Sequence, residues 1–175
     1  MTFQKQSADY LRTEFLPKIE LAIAPLTLDQ IWWRPNEASN SIGNLMLHLA
    51  GNVRQWIVGG VRQLDTPRDR DAEFSNREHV GADELLNRLR AAVDEASAII
   101  DRVSDAELAE PRQIQRFDTT VLGAIYHVVE HFSMHTGQII LLAKAQTGRD
   151  AGFYRVREDG TPEPVFSSRR AFSKD

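Results

Sequence analysis

The chain has 175 residues, 42% of them apolar and 26% charged, with no long hydrophobic run; this is the profile of one soluble globular domain that can bury a real core. Lys and Arg total 21 against 25 Asp and Glu, a formal net charge of -4, so no excess of cations is available for a phosphate backbone and no nucleic-acid partner is expected. Cysteine is absent, which excludes disulfides, zinc knuckles, iron–sulfur clusters and a cysteine nucleophile, and leaves His, Asp and Glu to ligate any metal.

The N-terminal stretch from Met1 to Tyr10 lacks the apolar core of a signal peptide, and no segment approaches the ~20 apolar residues of a membrane span. A cytoplasmic protein without a membrane partner is the expectation. Residues from about 4 to 24 read as a first helix, with Tyr10, Leu11, Phe15, Leu16, Ile19 and Ile23 near helical spacing and Pro17 costing it regularity. Thr27 and Gln30 then stand in capping-box relation before Ile31-Trp32-Trp33, a short element broken by Arg34-Pro35-Asn36; the two tryptophans are expected to staple it to the rest.

A second long helix begins at Asn40 or Ser41 and runs to Gly59-Gly60, with Ile42, Leu45, Met46, Leu49, Val53, Trp56 and Ile57 on one stripe. The connection from Arg62 to Phe74 is charged and longer than bundle loops usually are, so it is a candidate border for a site. Leu85, Leu86, Leu89, Val93, Ala96, Ile100 and Val103 mark a third helix that starts soon after Gly81 and fades at Ser104-Asp105. The fourth runs from Thr119 or Thr120 to about Gln146, ended by Thr147-Gly148.

Four amphipathic helices without a convincing alternating strand pattern predict an all-α four-helix bundle. Residues 1–148 form the bundle on this reading, and residues 149–175 a polar, turn-rich C-terminal tail of the same domain.

The five histidines stand at positions 48, 79, 127, 131 and 135, three of them within nine residues of the fourth helix. At about 100° per residue, His127, His131 and His135 step round that helix by about 40° each and form a column. With Val121 at zero, the column climbs from about 240° at His127, through about 280° at His131, to about 320° at His135, at the edge of the apolar arc. Histidines at i and i+4 can both reach one ion, the spacing of helical zinc sites, but a third protein ligand is needed. On the second helix His48 flanks the buried stripe in the same way, near Asn52 and Gln55. Three imidazoles presented to a shared cleft would leave coordination positions for water or substrate, a catalytic arrangement and not a closed structural one.

The bland readings stand beside this one. A single His on a helix margin is commonly a hydrogen-bonded packing residue, and HxxxH also arises by chance on exposed faces. His79, between Glu78 and Val80 in a charged loop, reads as solvated. His127 reads as a substrate-facing or ligand-supporting group or as a structural imidazole, Asn52 and Gln138 as orienting groups or helix–helix partners, and Trp56 as core. The HExxH zincins carry a general-base Glu after the first His, whereas Phe132 holds that place here and Glu130 should point away from the site, which disfavours peptide hydrolysis.

The run Asn40-Ser41-Ile42-Gly43-Asn44-Leu45-Met46-Leu47-His48-Leu49, taken with His127-Val128-Val129-Glu130-His131-Phe132-Ser133-Met134-His135-Thr136-Gly137-Gln138, resembles the DinB-like superfamily of damage-inducible and YfiT-type metal-dependent hydrolases. The similarity spans roughly residues 5 to 146 and includes Trp32-Trp33-Arg34-Pro35. It implies an up-down-down-up four-helix bundle, often a homodimer, with zinc or nickel held by His48, His131 and His135. It also implies an enzyme that uses the divalent ion to activate water, or a low-molecular-weight thiol, toward a small-molecule substrate. Many members have Arg where this chain has Thr136, so a role for that Arg does not carry over. Two other readings compete: a non-catalytic metal-binding or stress-response homodimer, and a bundle in which the histidines are a polar seam without metal.

Overall fold

A computed structural model of the protein describes residues 1–75 and 79–166. The first helix, α1, occupies residues 3–23: α-helical at Phe3–Asp9, π-helical at Tyr10–Phe15 and α-helical again at Leu16–Ile23. The cost of Pro17 takes this form. Its ring would press on the Thr13 carbonyl and it has no N–H to offer it; the turn just ahead is wider, with the Leu16 N–H bonded five residues back to the Leu11 carbonyl. Helix α2 (Leu28–Trp32) opens with both halves of the Thr27–Gln30 capping box. Trp32 does staple it, because its ring lies against Gly43, where a Cβ would come within 2.8 Å, and its indole N–H donates to the Val80 carbonyl. Trp33 does not, being 42% exposed.

Helix α3 (Ile42–Val53) is capped by Ser41, reciprocally with Asn44, and continues as a π-helical stretch over Arg54–Val61. The crossover that follows carries a short helix α4 (Arg70–Ser75). Helix α5 (Ala82–Ile100) ends earlier than its apolar pattern, with Val103 buried beyond the last turn. Strands β1 (Pro111–Ile114) and β2 (Phe117–Thr120) pair antiparallel, and helix α6 (Val121–Thr147) starts directly at the Thr120 cap and stops at Gly148 in the left-handed region. A second small hairpin pairs β3 (Tyr154–Val156) with β4 (Pro162–Pro164). Each strand of these two hairpins is too short to display alternation, so the bundle remains the fold and the hairpins leave no mark in the sequence pattern. The part of the tail beyond Phe166, and the Arg77–Glu78 setting of His79, lie outside the described residues.

Cross-helix contacts fix the topology. Gln4 donates to the Val103 carbonyl, Arg12 pairs with Asp101 and Arg90 with Glu20, so α1 and α5 are antiparallel. Trp32, packed on Gly43 at the start of α3, donates to the Val80 carbonyl just ahead of α5, and Arg54 farther along pairs with Glu95, so α3 and α5 run the same way. His48 meets His131 while Asn52 meets His127, which makes α3 antiparallel to α6. The order is therefore up-down-down-up, around a core that includes Leu11, Ile19, Leu49, Val53, Leu89, Val93, Ile125 and Phe132.

This topology explains the long charged connection. Helices α3 and α5 are parallel, so the chain leaving α3 must travel back along the bundle before α5 can start. The crossover passes the middle of α3 on its way, which brings Arg68 and Glu73 beside His48.

Candidate metal centre

Helices α3 and α6 face each other across the bundle and bring together the three histidines singled out by their angular positions. The Nε2 atoms of His48 and His131 are 2.9 Å apart. The His135 ring lies 5.1 Å from that of His48 and 4.4 Å from that of His131, edge-on to both. One ring nitrogen from each of the three lies within 4.8 Å of the others. His48 and His135 are buried, at 4% and 8% exposure, and His131 is half-buried; from His131 to His135 burial increases, as the climb of the column into the core edge predicts.

The second nitrogens decide what the first can do. Glu73, as a carboxylate, only accepts, so its 3.0 Å contact with His48 Nδ1 puts the proton on Nδ1 and leaves a lone pair on Nε2. Glu73 is in turn clamped by Arg68, whose Nε and Nη2 donate to its two oxygens at 2.6 and 2.7 Å. Arg68 also donates through Nη1 to Gln55 Oε1 at 2.6 Å, and Gln55 receives a further bond from Gln115 at the turn of the β1–β2 hairpin. On α6, His135 Nδ1 pairs with Gln138 Oε1 at 2.7 Å, which likewise leaves Nε2 as the lone-pair nitrogen. That Nε2 is buried and has no hydrogen-bond partner among the described residues.

Burial, reinforced by the neighbouring imidazoles and Arg68, pushes the His131 pKa down to about 3. Burial also lowers His135 and His127. All three are therefore neutral at neutral pH, the form that ligates. Burial alone would raise the pKa of Glu73 and is the largest single influence on it; the hydrogen bonds and charges of Arg68 and His48 outweigh it and hold the carboxyl below its ordinary value. The fit to a metal is good on these grounds. The Nε2 atoms of His48 and His131 face each other at 2.9 Å, close to the ~3.3 Å separation of nitrogens on a tetrahedral ion with ~2.0–2.1 Å bonds, and the His135 Nε2 is an orphaned buried acceptor.

The other candidates sit around this cluster. His127 stacks on His131, with centroids 5.2 Å apart, and lies 3.9 Å from the Trp56 ring; Asn52 donates weakly to its Nε2 at 3.5 Å. Asn52 therefore contacts His127, one turn from the three-histidine cluster, while Gln138 contacts His135 itself. Trp56 is buried as expected, and its indole nitrogen has no hydrogen-bond partner among the described residues. Glu130 is exposed and Phe132 is fully buried core, so neither supplies a base. The Thr136 hydroxyl is satisfied by the Phe132 carbonyl of its own helix. His79 is exposed, but it stacks parallel to Trp32 and lies 3.8 Å from Asp29, so it is more than a solvated loop residue.

Arg68 and Glu73 were not legible as site residues. Within Arg68-Asp69-Arg70-Asp71-Ala72-Glu73 no local pattern singles these two out, and the length and charge of the connection, which made it a candidate border for a site, were the available signal.

The helical bundle is a DinB-like fold, and the protein is a member of that superfamily. More narrowly, the chain belongs to the family described as "Protein of unknown function (DUF1572)", which matches residues 5–155. Among solved structures it is similar to a conserved protein from Enterococcus faecalis, with a TM-score of 0.73 and 17% identity over 85% of this chain and 99% of that one. It is also similar to a DinB-like protein from Bacillus subtilis, with a TM-score of 0.62 and 16% identity over 94% of this chain and 99% of that one. At such identities the likeness speaks for the fold alone. No curated protein matches the sequence. Among the described residues no helix is long and apolar enough to cross a membrane.

Proposed function

We propose that the protein binds one divalent ion, zinc or nickel, through His48, His131 and His135, and acts on a small molecule by hydrolysis or by transfer of a low-molecular-weight thiol. The observation that carries this reading is the buried, unpartnered Nε2 of His135 beside the facing Nε2 atoms of His48 and His131. Leaving such an acceptor unsatisfied costs about 1–3 kcal/mol, and a cation shared by all three removes that cost. Imidazole nitrogens suit both zinc and nickel.

When bound, the ion would supply Lewis acidity, lowering the pKa of a water or thiol at its open position. Three neutral ligands leave its full charge in place. The nearby carboxylate, Glu73, is engaged by Arg68 and His48 and is not free to act as a base. His127 is half-buried one turn from His131, where its ring can orient a substrate.

Elemental analysis tests the reading. After dialysis against metal-free buffer, the protein is expected to retain or rebind about one zinc or nickel per chain, and the His131→Ala variant to lose it. A protein that binds neither ion when both are offered would overturn the proposal. Hydrolysis and thiol-transfer assays on the loaded protein then separate the two reaction classes.

A further inference from the structure

Among the described residues outside the three histidines, a buried ion pair stands out: the Arg68–Glu73 couple that the crossover delivers to the back of His48. We infer that Glu73, held by Arg68, is the positioning residue of the metal centre: it fixes His48 as the Nδ1–H tautomer, and Arg68 cancels its charge so that the centre keeps the full charge of its ion. The inference rests on the metal reading for its purpose and not for its geometry.

Three observations support it. His48 Nδ1 has two neighbours with opposite demands: Glu73 Oε2 at 3.0 Å needs a proton on that nitrogen, and Arg68 Nη2 at 3.1 Å needs a lone pair there. Arg68 already has acceptors in both Glu73 oxygens and in Gln55, whereas His48 Nδ1–H has Glu73. The network is therefore satisfied with the proton on Nδ1, and Nε2 is turned toward His131 as a donor of electrons. With the other tautomer, His48 would place a proton where the ion belongs.

The helix beneath is also shaped for the couple. A Cβ at Gly51 would overlap Glu73 Oε1 and lie 2.8 Å from Arg68 Nε. A glycine in the interior of a helix costs about 1 kcal/mol relative to alanine, and here it lets the ion pair lie flat on α3. Finally, the couple's backbone is anchored separately: Asn44, the residue that completes the α3 cap, donates to the Glu73 carbonyl at 2.8 Å, and Arg34 donates to the Phe74 carbonyl at 3.1 Å. The carboxylate is thus presented from a fixed main chain.

Charge follows from the same contacts. Three neutral imidazoles, one carboxylate and one guanidinium add up to zero, so a carboxylate can orient a ligand without lowering the Lewis acidity of the ion it serves.

The test uses the full-length protein and its variants Glu73→Ala, Glu73→Gln and Gly51→Ala, with two readouts. Nitrogen-15 NMR of the metal-free imidazoles reports the His48 tautomer, and competition with a chelating dye reports zinc affinity. The Nδ1–H form is expected in the parent and in Glu73→Gln, whose amide oxygen still accepts, and is expected to be lost in Glu73→Ala. Zinc affinity is expected to fall about 10- to 100-fold in Glu73→Ala, the range for loss of a ligand's hydrogen-bond partner, and less in Glu73→Gln. Gly51→Ala keeps both charged side chains in a better helix former and is expected to weaken zinc in the same direction, which covers the case that Glu73→Ala does not fold. An unchanged tautomer and unchanged affinity in Glu73→Ala and Gly51→Ala, with zinc bound by the parent, would overturn the inference and leave the metal site standing. A Glu73-dependent tautomer in a parent that binds no zinc would uphold the positioning and sink the metal reading.

Discussion

Glu73 and Glu163 each gather hydrogen bonds from two basic side chains, in opposite surroundings. Glu73 takes 2.6 and 2.7 Å bonds from Arg68 and a 3.0 Å bond from His48, with the Arg68 side chain 6% exposed. Glu163 takes 2.7 Å from Arg155 and 2.5 Å from Arg157, whose side chains are 71% and 46% exposed. The distances are alike, but the consequences differ. At the hairpin, water and salt screen the charges and would solvate each of them equally well apart. Under the crossover, removing one partner strands the other in a poorly solvated place. Similar bonds therefore do different work: the exposed cluster trims a surface hairpin, and the buried one locks a connection of the chain onto α3.

The largest effect should come from breaking the buried couple. Arg68→Ala or Glu73→Ala alone should destabilise by about 3–5 kcal/mol, because each leaves an uncompensated buried charge. The double change to apolar residues of similar volume, Arg68→Met with Glu73→Leu, should cost less than either single change. Urea melts of all three decide it. Single variants as stable as the parent would erase the contrast with Glu163. Zinc sets the next step: at about a hundredfold its Kd, it should stabilise the protein by about 2.7 kcal/mol. Thermal melts with zinc and with EDTA should show that gain in the parent and in Glu163→Ala, and none in His135→Ala. Asn44→Ala comes third, at about 2 kcal/mol, since it removes both the reciprocal α3 cap and the donor to the Glu73 carbonyl.

What the sequence disclosed and what it hid divide along the same line. The histidines at positions 131 and 135 lie on one helix, so a constant turn per residue places them together, and the His48 margin follows from the stripe of its own helix. The Thr27–Gln30 box and the Gly148 stop are likewise local, and the structure keeps both. Arg68, Glu73 and Gly51 belong together only because α3 and α5 run parallel and force the connection back past His48, which no local pattern encodes. The resemblance to a known bundle implied that topology without saying which residues of the connection would meet the histidine. The π-helical stretches were missed for a related reason: Pro17 marks where the first helix is disturbed, but whether the chain kinks or widens depends on what packs beside it. Around the second, Trp56 and Ile57 stay on the buried stripe, so the sequence pattern reads through it.

The smallest effect tests the exposed half of the comparison. The bonds from Arg157 and Arg155 pull the Glu163 pKa down from 4.5 to about 2. A carboxyl whose pKa is lower folded than unfolded adds stability that is fully present above the unfolded value and is lost as the pH falls through the folded one. Its contribution to the β3–β4 hairpin should thus hold above about pH 4.5 and drain away between there and pH 2. Solvent screening makes this a local matter. A carboxyl-detected NMR titration should place the Glu163 midpoint below 4.5, rising toward it in 1 M salt, while the amides of Tyr154–Val156 shift with it and the global melting temperature of Glu163→Ala matches the parent's. A Glu163 midpoint that ignores salt would mean that the hairpin shelters its carboxylate from water, and the two clusters would then differ in place along the chain and not in kind.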